Sequence, residues 1–196
     1  ISMLTPSSAR VRNMVAASLY TGIGAIEASN LSVGRGTDSP FEQFGAPWID
    51  GPTLAAELNR RNLPGVRFYP TSFTPTSSRF ANELCQGVFI IVTDRDRMRP
   101  VRVGAEVASA LYRLFPGPFE VDKVGRLFGA DTVRRIRAGD DPAAIATAWA
   151  RGESAWRLLM RKALSTVTSS QRISWCVRTV LHRLWILVWQ NCEAMS

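Results

Sequence analysis

Residues 87–93 read Gly87-Val88-Phe89-Ile90-Ile91-Val92-Thr93. An unbroken apolar run of this length, rich in β-branched side chains, predicts a fully buried strand. Just upstream, residues 64–73 (PGVRFYPTSF) alternate, with Val66 and Phe68 on one face, and predict a second strand. Further upstream, Asp50 and Pro52 open a helix through LAAELNRRN, in which Leu54 and Leu58 lie one turn apart. Residues 18–28 (SLYTGIGAIEA) have strand-like content broken by Gly22 and Gly24. Downstream the period changes. Val103, Val107, Leu111 and Leu114 recur at helical spacing, and Pro116-Gly117 ends that element. Short helical pieces follow at Val124–Phe128 and Thr132–Arg137. Asp141-Pro142 then opens a helix whose stripe is Ile145, Trp149, Trp156 and Leu159, read as core. Strands early and helices late predict an α+β fold rather than a doubly wound parallel sheet.

The chain has 196 residues, of which 46% are hydrophobic and 20% charged, so a sizeable core can form. A net charge of +8 points towards anionic partners. The arginines are scattered singly or in pairs along the whole chain, which argues for a solvated basic surface rather than a nucleic-acid patch. Three cysteines, Cys85, Cys176 and Cys192, at wide and irregular spacing form no disulfide framework. With His182 as the one histidine they form no zinc site either. Cys85, beside the apolar run, reads as a buried free thiol. Ser/His/Asp catalysis is not expected, because His182 lies in the atypical tail. Gly22-x-Gly24 is no dinucleotide fingerprint, because Glu27 occupies the third glycine position. No cofactor and no metal are expected. Asp94-Arg95-Asp96-Arg97 reads as a solvated turn after the buried strand, and Arg60-Arg61 and Arg134-Arg135 as solvent-facing pairs.

The two ends differ from the middle. Residues 1–17 read as an incoming linker, with no signal peptide. Residues 165–171 (STVTSSQ) form a polar linker into RISWCVRTVLHRLWILVWQ, a basic Trp- and Cys-rich tail over 165–196. Arg178, His182 and Arg183 interrupt its apolar stretch, which is too short and too charged to span a membrane. Two readings remain for it: a terminus without a selected role, which the abrupt change in composition favours, or an added interfacial or partner-binding helix.

The chemistry concentrates in residues 27–48, EASNLSVGRGTDSPFEQFGAPW. This belongs to a long stretch, 29–51, with little periodicity, and a loop of that length in a compact domain is usually functional. Arg35, flanked by Gly34 and Gly36, offers a fixed fork for a carboxylate on a backbone that a ligand can approach closely. Asn30, Ser32 and Thr37 are short hydrogen-bonding side chains suited to hydroxyls and amides. Trp48 and Phe41 offer flat faces for a sugar ring. Glu27 can orient a hydroxyl or act as a catalytic carboxylate. The bland alternative is a rigid Gly/Pro loop closed by a buried salt bridge.

The run 27–48 resembles the signature of the NamZ-type exo-β-N-acetylmuramidases, a bacterial family long catalogued as a domain of unknown function. The resemblance extends through Tyr20 and Gly22, through Asn62-Leu63-Pro64-Gly65-Val66-Arg67-Phe68, and through Phe73-Thr74-Pro75. It continues with Cys85-Gln86-Gly87-Val88, Val92-Thr93-Asp94-Arg95, Phe128-Gly129 and the Gly139 to Trp149 region. It implies that residues 18–164 are the C-terminal, cleft-forming domain of a two-domain glycoside hydrolase. The family releases N-acetylmuramic acid from non-reducing ends of peptidoglycan fragments in cell-wall turnover. The resemblance places the principal catalytic carboxylate in a Rossmann-like N-terminal domain outside this chain, so this chain alone is expected to be inactive or to act as a noncatalytic glycan-binding module. It makes Glu27, Asn30, Ser32, Arg35, Thr37 and Trp48 cleft-lining candidates, with Glu27 the candidate carboxylate within the chain. Arg35 would either meet the lactyl carboxylate of muramic acid or serve as a structural partner of Glu27 or Asp38. The implied partners are a MurNAc-containing saccharide or muropeptide and the N-terminal domain, with no nucleic acid. The implied location is periplasmic or extracellular. Departures from the family pattern are Thr21 in place of a frequent proline, Ala28-Ser29 in place of Gly-Thr, and the tail beyond Leu164.

Overall fold

The computed structural model describes residues 14–149 and 151. Its architecture is α+β, with a small antiparallel sheet packed among helices. The tail 165–196, with Cys176, His182 and Cys192, lies outside the described residues, as do Trp156 and Leu159 of the stripe.

Helix α1 spans Met14–Ile23 and runs into a short 3-10 turn, Gly24–Ile26. This corrects the reading of 18–28 as a broken strand, and residues 14–17 belong to the same helix. Ala16, Leu19 and Ile23 are buried at helical spacing. A window opened at Ser18 misses that period and sees the glycines as breaks. Gly22 serves a different purpose. A Cβ on Gly22 would lie 1.9 Å from the Pro100 carbonyl oxygen, and one on Gly104 would lie 2.5 Å from the Gly22 carbonyl oxygen. Helix α3 spans Pro100–Leu114. The two helices therefore cross with backbone against backbone, and the missing side chains at Gly22 and Gly104 make the crossing fit.

Strand β1 covers Gln43–Ala46, β2 Val66–Phe73 and β3 Cys85–Val92, in the order β1-β3-β2. Both pairings are antiparallel, with Gln43 opposite Phe89 and Tyr69 opposite the same residue from the other side. Strand β1 falls within the stretch read as loop. It is four residues long and buried throughout, so it carries no alternation to detect. Helix α2, Gly51–Arg60, follows Asp50 as expected and packs on the sheet. Asp50 does not cap the helix backbone. Its carboxylate accepts from the Thr53 hydroxyl at 2.6 Å instead. Strand β3 is not buried on both faces as expected. Val88 and Ile90 face the core, while Ile91 is 42% exposed, as is its neighbour-strand residue Tyr69 at 54%. The side chain of Asn59, on α2, covers the outer edge of β2. It accepts from the Phe68 N–H at 3.0 Å and donates to the Phe68 carbonyl at 2.7 Å.

Helices α4, Val121–Phe128, and α5, Ala130–Ala138, pack on one another, and a further helix opens at residue 142 with Ile145 buried. Phe41, Phe44, Phe68 and Phe128, with Leu19, Ile26, Leu54 and Leu111, are the bulk of the core. An ion-pair network joins α2 to α3. Glu57 accepts from Arg60, Arg61 and Arg113, and Arg61 continues to the buried Glu106 at 2.8 Å. Arg61 is thus a buried link and not the solvent-facing residue its sequence context suggested. Arg60 is solvent-facing, and so is Arg134. Asp94 closes the turn after β3 by accepting from the Asp96 and Arg97 N–H groups. Cys85 is a buried free thiol, and burial pushes its pKa up to about 11.

Two outcomes follow. Gly22→Ala should destabilise the chain by about 3 kcal/mol in urea unfolding, because the clash is with backbone and cannot relax by a side-chain rotation. Gly117→Ala, at a site with nothing within 4 Å, should stay within about 1 kcal/mol of the parent. Equal effects of the two would exclude the close crossing. The raised Cys85 pKa stabilises the fold fully below the unfolded thiol's ordinary value, and that contribution is lost as pH rises through about 11. The stability gap between parent and Cys85→Ala should therefore be constant below about pH 8 and shift in favour of the variant above it. A gap independent of pH would show that the thiol is not desolvated.

Candidate functional site

The loop between the 3-10 turn and β1 is ordered by glycine. Gly34 and Gly36 have φ of 75° and 81°. Added Cβ atoms would lie 2.7 Å from the Ser39 carbonyl oxygen and 2.5 Å from the Ser77 nitrogen. Arg35, held between them, forms a two-pronged ion pair with Glu27. Its Nε meets Oε1, and its Nη2 meets Oε2 at 2.9 Å. The Arg35 guanidinium also lies 4.8 Å above the Phe41 ring, which meets Tyr20 in a T-shaped contact. The hydrogen bond to Glu27 raises the Arg35 pKa against the opposing effect of burial. The side chains are 18% and 28% exposed, so the pair is shielded on one side and open on the other.

The open side is a pocket of about 490 Å³ lined by Glu27, Leu31, Val33, Ser78, Arg79 and Phe80. The last three come from the connection between β2 and β3. That connection is stitched to the Arg35 loop, since the N–H and hydroxyl of Thr76 both donate to the Gly36 carbonyl, at 2.9 and 2.8 Å. It is also strained: Ser78, Phe80 and Asn82 all have positive φ, at 72°, 60° and 63°. Ser78, Arg79 and Phe80 were not among the candidates from sequence. Thr76-Ser77-Ser78 reads locally as an ordinary polar turn, and its contact with Gly36 spans about 40 residues, beyond any local pattern.

The sequence candidates separate into two groups. Glu27 lines the pocket, and Arg35 holds Glu27 without lining the pocket itself. The others do not line it. Ser32 is buried, its backbone bridged antiparallel to Gly45 alongside β1, and its hydroxyl has no hydrogen-bond partner among the described residues. Thr37 holds the loop, donating to the Gly34 carbonyl and accepting from the Gln43 amide at 2.9 Å. Asn30 uses both ends of its amide on the backbone after α3, donating to Pro118 at 2.7 Å and accepting from Glu120 at 2.9 Å. Trp48 packs edge-on against Phe115 and lies against Phe119, in that same region. Phe41, expected to offer a stacking face, is fully buried. Among the described residues no three His, Cys, Asp or Glu side chains gather as metal ligands, and no helix is long and apolar enough to cross a membrane.

Comparison with other proteins assigns the chain to a family of C-terminal domains. The chain belongs to the family described as exo-beta-N-acetylmuramidase NamZ, C-terminal, which it matches over residues 18–165. It is 45% identical over 107 residues to the peptidoglycan beta-N-acetylmuramidase NamZ of Bacillus subtilis (strain 168), a match covering 55% of this chain and 26% of that protein. Among solved structures it is similar to a DUF1343 family protein (BF0371) from Bacteroides fragilis NCTC 9343, with a TM-score of 0.54 and 26% identity. That similarity covers 62% of this chain and 33% of the other. The chain thus spans about a quarter of the curated relative's length and a third of that solved chain.

A double-mutant cycle with Glu27→Gln and Arg35→Gln, followed by chemical unfolding, should return a coupling of about 1–2 kcal/mol, above an exposed pair because the geometry is two-pronged and half-buried. A coupling near zero would show that the two side chains do not meet in solution.

Proposed function

We propose that this chain forms one wall of the saccharide site of an enzyme that releases N-acetylmuramic acid from non-reducing ends of peptidoglycan fragments. The observation that carries the reading is the Glu27 carboxylate. Arg35 grips it on one side, and it opens on the other into a pocket large enough for a monosaccharide unit. A carboxylate so held can accept hydrogen bonds from ring hydroxyls in a fixed direction. Arg35 is then a positioning residue, acting through Glu27.

Glycoside hydrolysis of the usual kind needs two carboxyl groups facing each other across the scissile bond. Among the described residues, Glu27 is the one carboxylate that lines this pocket. The second is assigned to an upstream domain, in keeping with the share of the Bacillus subtilis relative that lies beyond this match. That domain and a MurNAc-containing saccharide are the proposed partners, and the substrate sets the proposed location as periplasm or cell exterior. Nucleic acid is a poor fit to the basic charge, since Arg35, Arg61, Arg113 and Arg135 are each engaged by acidic side chains.

The test is hydrolysis of a chromogenic N-acetylmuramic acid glycoside by this chain alone and by this chain mixed with the upstream domain of the same locus. Turnover in the mixture only is the expected result, reduced at least tenfold by Glu27→Gln. Turnover by the chain alone would move the whole chemistry onto Glu27. No turnover in either, with the sugar still bound by the chain, would make it a noncatalytic glycan-binding module.

A further inference from the structure

The pocket contains a cation that the Glu27–Arg35 pair does not use. Arg79 lines the same cavity, is exposed, and makes no hydrogen bond or ion pair among the described residues. We propose that Arg79 is the residue that recognises the carboxylate of an acidic sugar, so that it sets the preference for a lactyl-bearing saccharide over the plain N-acetylhexosamine. The inference rests on the saccharide reading above and assigns within it the role that the sequence had offered to Arg35.

Charge counting supports this. Glu27, the acidic residue of the lining, is neutralised at contact distance by Arg35 behind it, which leaves the charge of Arg79 as the net charge presented to a ligand. Arg35 has both prongs of its fork on Glu27 and one face on the Phe41 ring, so it has little left to offer a second carboxylate. Arg79 has its whole fork free, and a planar guanidinium matches a carboxylate in two parallel hydrogen bonds. Presentation supports it as well. Arg79 stands between Ser78 and Phe80, both in the left-handed region, in a loop anchored by two hydrogen bonds to the Gly36 carbonyl. The backbone that carries Arg79 is thereby fixed relative to the backbone that carries Arg35. Leu31, Val33 and Phe80 complete the lining with apolar surface suited to the methyl groups of a lactyl ether and an acetamide.

The experiment is a titration of the full chain, followed by NMR so that millimolar affinities register, with N-acetylmuramic acid and with N-acetylglucosamine. The two sugars differ only in the lactyl ether. The parent should prefer the acidic sugar by about tenfold, as expected for one charge-assisted contact. Arg79→Gln should abolish that preference, so that the two sugars bind this variant alike. Arg79→Lys, which keeps the charge but loses the fork, should restore part of it. A preference that survives Arg79→Gln and disappears in Arg35→Gln overturns the assignment and leaves the saccharide reading intact. Equal binding of both sugars by the parent also overturns it. Binding of neither sugar overturns the saccharide reading, and the role of Arg79 with it.

Discussion

Everything at the candidate site depends on a close approach of two loops that only glycine permits. Gly36 meets Ser77 at a distance where no Cβ fits, and its carbonyl takes both donors of Thr76. Gly34 does the same within its own loop, against the Ser39 carbonyl. These two contacts fix Arg35 between them, Arg35 fixes Glu27, and the loop after β2 closes the other side of the pocket. A larger residue at Gly36 would have to part the loops, because the obstacle is backbone and not a flexible side-chain tip.

The balance of charge follows a similar logic. A chain with a net charge of +8 invites the idea of a basic binding face. The described arginines instead work mainly as cross-links. Arg61 bridges α2 to the buried Glu106, Arg113 returns from α3 to Glu57, and Arg135 closes onto Asp140 after α5. Several of these pairs are half-buried, where a guanidinium fork tolerates desolvation better than an ammonium. Arg79, in the Glu27 pocket, and Arg95, in the cavity beside Asp96 and Pro100, are not cross-linked in this way among the described residues.

Helices α2 and α3 and the strands β2 and β3 were legible because their apolar residues repeat at a local period. Val103, Val107 and Leu111 are buried as the spacing required, and so are Val66 and Phe68. Helix α1 was misread because Gly22 looks like a break, whereas its role is a helix crossing with Gly104, 82 positions away and invisible to local patterning. Strand β1 is buried on both faces and too short to show a period. At the site, the glycine-flanked arginine and the upstream glutamate could be picked out as chemistry. Which of the short polar residues face the pocket could not. Asn30 reaches the distant backbone at Pro118 and Glu120, Ser32 pairs with Gly45 through its own backbone, and Thr37 closes on Gly34 three residues back. Ser78, Arg79 and Phe80 reach the pocket through a tertiary contact alone.

The clasp of Asn59 on Phe68 also bears on how the chain behaves in company. Strand β2 is an edge of the sheet among the described residues, and open edges invite a strand from another molecule to add on. Here the main-chain donor and acceptor of Phe68 are already occupied by the Asn59 amide, and two residues on, Pro70 has no N–H to give. An incoming strand would find the Phe68 position occupied and the Pro70 position without a donor. The sheet is thereby guarded against edge-to-edge aggregation by one side-chain amide and one imino acid.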